Sequence, residues 1–83
     1  MPMLEKIKIA IEDTTLEFIK DRVIYLKLFC GLACKHSFSS QKEIALYLGI
    51  SPASVAYYRK EHNNMLYITE YEQLFHEVEA KIL

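Results

Sequence analysis

Gln41-Lys42-Glu43-Ile44-Ala45-Leu46-Tyr47-Leu48-Gly49-Ile50-Ser51-Pro52-Ala53-Ser54-Val55-Ala56-Tyr57-Tyr58-Arg59-Lys60 is the most informative segment of this 83-residue chain. It is preceded by a capping-box residue. Ser40 can offer its hydroxyl to the backbone N–H of Glu43, and the Glu43 carboxylate can reach back to Ser40. A short helix over 41–48 follows. Gly49 can take the left-handed conformation that ends it. Ser51-Pro52 then starts a second helix, with Ser51 as cap and Pro52 in the first turn, where a missing N–H costs nothing. This helix is expected to run to about His62 and to break at Asn63-Asn64.

The segment resembles the helix-turn-helix of phage repressors and of sigma-factor region 4. The resemblance covers residues 41–60 of the 83. That motif needs a small residue where its two helices cross, and Ala45 stands there. It needs a turn residue without a side chain, and Gly49 is that residue. Ile44, Leu48, Ile50 and Val55 stand at the apolar positions that hold the helices near a right angle, and Tyr58 continues the inward face.

The resemblance implies that helix 52–62 is a recognition helix lying in the major groove of double-stranded DNA. Its outward face would carry Ser51, Ala53, Ser54, Ala56, Tyr57 and Lys60. Gln41 and Lys42 would sit over a phosphate at the start of the preceding helix. Arg59 and Lys60 would extend the positive surface. Tyr57 would stack on sugar or thymine methyls, and Ala53 and Ala56 would abut thymine methyls. The implied function is a small sequence-specific transcription regulator in the style of phages and mobile elements. A lone helix-turn-helix makes few contacts, so a homodimer on a two-fold site is expected. The alternative is an adaptor or packaging-type subunit that uses the same motif, with an acidic last helix, to bind protein.

Outward from this segment the pattern remains helical. Residues 3–12 admit a helix (Leu4, Ile7, Ile11 on one face) or an alternating strand, with the helix preferred. Thr14 and Glu17 have capping-box spacing. After them Leu16, Ile19, Val23, Leu26, Cys30 and Ala33 form a stripe, and Phe18, Tyr25 and Leu32 form a second row. Together they predict one long helix, 15–34, stopping near Lys35-His36-Ser37. Residues 65–68 read as extended or irregular. Thr69 with Glu72 suggests another capping box, opening a final amphipathic helix over 70–82 lined by Tyr71, Leu74, Phe75, Val78 and Ile82. Either the 16–33 stripe or the 71–82 face offers a dimer surface. The expected fold is a single all-α domain of four to five helices.

Composition supports that class. Two Gly, two Pro and 52% hydrophobic residues leave few helix breakers and enough apolar mass for one core. No apolar run is long enough to span a bilayer, and no signal peptide is evident, so a cytoplasmic protein without membrane association is expected. Net charge is −1, but residues 1–60 hold nine Lys/Arg against six acids, whereas residues 61–83 hold one Lys against five Glu. The last helix should therefore repel phosphate and suit a basic protein partner, while the rest tolerates phosphate. An enzyme is not expected: His36, His62 and His76 are scattered, and no phosphate loop or nucleophile elbow occurs. No cofactor is expected either. Cys30, Cys34 and His36 with His62 or His76 match no metal-ligand spacing, and the cysteines read as small core residues.

Overall fold

The computed structural model describes residues 2–83, which form five α-helices among them: α1 (Met3–Thr15), α2 (Val23–His36), α3 (Gln41–Leu48), α4 (Pro52–Met65) and α5 (Thr69–Ile82). The all-α expectation holds, and the ambiguous N-terminal segment is helical. α2 is the central element. Tyr25 and the whole run from Leu28 to Ala33 are buried, because α4 covers one side of the helix while α1 and α3 cover others. α5 closes the bundle by laying Tyr71, Phe75, Val78 and Ile82 inward, chiefly against α1. That face is therefore consumed in the core, which corrects the expectation that it offers a dimer surface.

The expected long helix, 15–34, does not form. α1 ends at Thr15, a short 3-10 turn spans Ile19–Asp21, and α2 begins at Val23. The cause is local competition for backbone groups. Thr14 and Thr15 lie inside α1 and donate their hydroxyls to the carbonyls of Ala10 and Ile11 at 2.7 and 2.8 Å. Thr14 is therefore unavailable as a cap for Glu17. Beyond them, the N–H groups that a continuous helix would send to carbonyls go to carboxylates instead. Ile19 N–H donates to Glu12 at 3.1 Å, and Phe18 N–H donates to Asp21 at 3.0 Å. Ile19 swings into the core, while Leu16 and Val23 are left exposed. Leu16 itself has φ +59°, a left-handed conformation that costs a residue with a β-carbon about 1–2 kcal/mol.

Two smaller boundaries also differ. α4 runs through Asn63-Asn64 to Met65. Asparagine is only a mild helix opponent, and half-buried Met65 and Leu66 reward the extra turn by packing on the core. The irregular segment shrinks to residues 66–68. The Thr69–Glu72 capping box is not made, because Ile68 holds the cap position and Thr69 is already helical.

One close approach fixes how α2 meets α4. A β-carbon on Gly31 would lie 2.2 Å from the ring of His62. Gly31 thus lets His62, only 4% exposed, lie flat against α2. The His62 Nδ1 and the Tyr71 hydroxyl share a 2.6 Å hydrogen bond, so α2, α4 and α5 are joined at one buried point.

Candidate nucleic-acid interface

α3 and α4 are linked by Gly49, Ile50 and Ser51 alone. Gly49 has φ +72°, and its N–H bonds back to the end of α3. Ile44, Ala45, Leu48 and Val55 are buried, and Ile50 and Tyr58 are half-buried against the same core. The apolar face of the pair is therefore the face the sequence assigns. Both expected caps are made. Ser40 accepts from Glu43 N–H at 3.1 Å and returns its own N–H to the Glu43 carboxylate at 2.9 Å. Ser51 accepts from Ser54 N–H at 3.1 Å.

These bonds decide what remains free at the start of α3. The capping box takes the Ser40 and Glu43 N–H groups and leaves those of Gln41 and Lys42 pointing out of the helix end, the usual position for an anion. The Gln41 side chain is already engaged, donating to the Pro52 carbonyl at 2.8 Å. It ties the start of α3 to the first turn of α4. Lys42 is exposed. The Glu43 carboxyl is held below the usual carboxylate range by the Ser40 N–H, then by the Ser40 hydroxyl. It stays charged beside Lys42 and partly offsets it.

On α4 the outward residues divide into two groups. Ser51, Ala53, Tyr57 and Lys60 are exposed, and Ser54 and Ala56 are half-buried. Tyr57 is 56% exposed, and its ring lies 5.8 Å from that of Tyr58 in a tilted arrangement. The Ser51 and Ser54 hydroxyls lie 2.9 Å apart and bond each other. Arg59 is exposed but turned aside: its Nη1 donates to Cys34 Sγ on α2 at 3.2 Å. The structure thus brings Gln41, Lys42, Ser51, Ala53, Tyr57 and Lys60 to the surface of adjoining helices and draws Arg59 toward α2.

The acidic residues after position 60 are also sorted by the fold. Glu61 lies 3.7 Å from Lys27. Glu79 takes both Lys35 and His36 at 2.7 Å, and the Lys35 hydrogen bond is the main reason its carboxyl is held below the ordinary range. Glu70, Glu72 and Glu77 remain exposed on α5.

His62 and Gly31 are the important residues that sequence reasoning missed. Burial, then the charge of Lys35, push the His62 imidazole below its ordinary pKa. Both cysteines are free, Cys30 buried and Cys34 exposed. Cys30 is the small core residue expected, whereas Cys34 is not. No cluster of three or more His, Cys, Asp or Glu suited to a metal occurs among the described residues, and no helix among them is long and apolar enough to cross a membrane. Comparison with protein-family models, curated proteins and solved structures finds no match for the chain.

Proposed function

We propose that this protein is a small sequence-specific DNA-binding transcription regulator, with α4 as its recognition helix. One observation carries the reading. Two short helices are joined by a three-residue turn at a positive-φ glycine, and the second turns Ser51, Ala53, Tyr57 and Lys60 to solvent while Val55 and His62 anchor it from beneath. Lys42 and the free N–H groups at the start of α3 suit a phosphate. Tyr57 and Lys60, three residues apart on one face, suit base edges and sugar. The molecule's longest extent, 29 Å, is shorter than the roughly 34 Å of one DNA turn. One copy therefore reaches one half-site, and two copies are needed for tight binding.

Selection from random duplexes followed by titration at several salt concentrations tests the reading. Lys42→Ala should weaken cognate and random duplexes alike and lower the salt slope by about one. Tyr57→Ala should penalise the selected site more than random DNA, by roughly 1–3 kcal/mol. The exposed Glu70, Glu72 and Glu77 on α5 favour the second reading, an adaptor that docks a basic protein. Wild-type protein that binds no duplex at low salt, yet retains a basic partner lost on charge-neutralising Glu72 and Glu77, would replace the first reading with the second.

A further inference from the structure

The break between α1 and α2 leaves apolar groups on the surface that the core does not cover. Leu16 is 87% exposed and Phe18 69% exposed. Leu16 also holds its left-handed conformation there, so the fold keeps an unfavourable backbone geometry and an unfavourable side-chain environment at one residue. Strain of that kind persists where surroundings or function require it.

Phe18 lines two hollows that share Glu12 and differ in their other charges, Lys20 on one side and Glu17 with Asp21 on the other. On one side a groove of about 420 Å³ lies between α1, the 3-10 turn and α3, lined by Ile19, Tyr47 and Leu48 with Lys20 and the Lys8–Glu12 ion pair, 3.2 Å apart. On its other side a shallower hollow is lined by Leu16 with Glu12, Glu17 and Asp21. The surface therefore runs from a groove that carries Lys20 to an apolar ridge and then to an acidic flank.

That order is self-complementary. A two-fold axis lying in the surface, across this line and between ridge and groove, sets each ridge into the other copy's groove. The same rotation brings each acidic flank toward the other copy's Lys20, so attraction and shape agree. A ridge with a single sign of charge on both flanks would instead repel its own copy.

We propose that the occupant of this groove is a second copy of the chain, with Phe18 and Leu16 as the apolar plug and Lys20 facing Glu17 and Asp21 across a two-fold interface. This supplies the two copies that the DNA-binding reading calls for. It rests on that reading only there. None of the groove's lining residues belongs to the set proposed to touch DNA, so α4 stays free in the dimer.

Sedimentation equilibrium of the full chain across the micromolar range tests the interface without DNA. The mass should rise with concentration from 9.7 kDa toward twice that value. Phe18→Asp should raise the dimer dissociation constant at least tenfold, with an unchanged helical circular dichroism spectrum. Leu16→Gly should do the same while raising the thermal midpoint, because glycine accepts the left-handed conformation. Lys20→Glu should weaken the dimer, and adding Glu17→Lys to it should restore association by exchanging the two flanks. A 9.7 kDa species at every concentration would overturn the proposal, and so would a dimer indifferent to both Phe18→Asp and Leu16→Gly. A dimer sensitive to Phe18→Asp in a protein that binds no duplex supports the interface and removes the DNA reading alone.

Discussion

Gly31 and Gly49 are both permissive residues by sequence, yet the fold uses them for different reasons. Gly49 is needed for its backbone angle: φ +72° strains any residue with a β-carbon. Open space surrounds it, with only Lys20 Nζ within 4 Å of the point where a β-carbon would stand. Gly49→Val should therefore destabilise by about 1–2 kcal/mol through the backbone alone, seen as a lower urea midpoint. Gly31 has ordinary helical angles, and a helix interior prefers alanine there by about 1 kcal/mol. Its neighbour reverses that preference, since a β-carbon would overlap the His62 ring at 2.2 Å. Gly31→Ala should cost at least about 1–3 kcal/mol as overpacking forces α2 from α4, and Gly31→Ala with His62→Ala should cost less than the two separate losses combined. A Gly31→Ala protein as stable as wild type would show that the helices separate freely. The cysteines differ just as sharply. Burial, then the nearby Cys34, raise the Cys30 thiol to about 12, whereas Cys34 is exposed beside Arg59. Under native conditions an alkylating reagent should label one thiol, at Cys34, and label Cys30 only on unfolding. Rapid native labelling of both would contradict the burial of Cys30.

Helices whose caps and buried faces lie within one short segment were legible in the sequence. The Ser40 and Ser51 caps, Gly49 and the inward Ile44, Leu48 and Val55 all stand where spacing puts them, because each depends on neighbours at most four residues away. The α1–α2 boundary was not legible. Its stripe has helical spacing, but two carboxylates intercept the backbone there, Asp21 from the capping position three residues beyond Phe18 and Glu12 from seven residues before Ile19. Glu12 is the decisive one. Its carboxylate accepts from Lys8 at 3.2 Å and from Ile19 N–H seven residues on. Capping patterns reach three or four residues, so a bond across seven carries no sequence signature. Glu12→Ala should cost about 1.5–3 kcal/mol, the range for hydrogen bonds to a charged group, and should specifically speed amide exchange at Ile19 relative to α2. Unchanged exchange at Ile19 would show that apolar burial of its side chain, not Glu12, holds the turn. The exposure of Gln41, Lys42, Ser51, Ala53, Tyr57 and Lys60 was legible for the same local reason, whereas Ser54 and Ala56, expected outward, are half-buried and Arg59 is drawn aside. The helical period assigns Arg59 outward, but its long side chain reaches back to Cys34, which lies 25 residues earlier in the chain. Period places a Cβ, and a long side chain then chooses among partners that only the tertiary fold supplies.

The whole molecule depends on a polar contact in an otherwise apolar interior. His62 is the one buried polar or charged side chain among the described residues, and it joins three helices: Gly31 of α2 lies against its ring, it sits on α4, and it bonds Tyr71 of α5. Burial and the Lys35 charge both disfavour the imidazolium, so the folded pKa lies below the ordinary 6.5. Burial also raises the Tyr71 hydroxyl, which therefore stays neutral and lends no negative charge that would hold a proton on His62. The sign of the linkage follows. The unfolded chain takes up a proton at His62 as pH falls through about 6.5, before the folded protein does, so the unfolded state is favoured. The stabilisation is fully present above that pH. It is lost as pH falls through the folded value, when the imidazole must charge in place or the contact must open. Glu79 does not account for a loss in this range, because Lys35 holds its carboxyl below the usual 4.5 and it stays ionised throughout. Urea midpoints measured from pH 8 downward should be flat at first and should fall below about pH 6.5. His62→Gln keeps a hydrogen-bonding side chain without a titrating group. It should be less stable at neutral pH, and it should lose the slope that lies between the unfolded and folded pKa of His62. A slope retained in full by His62→Gln would place the acid-sensitive group elsewhere, and the three-helix junction would then be a packing contact without a role in pH dependence.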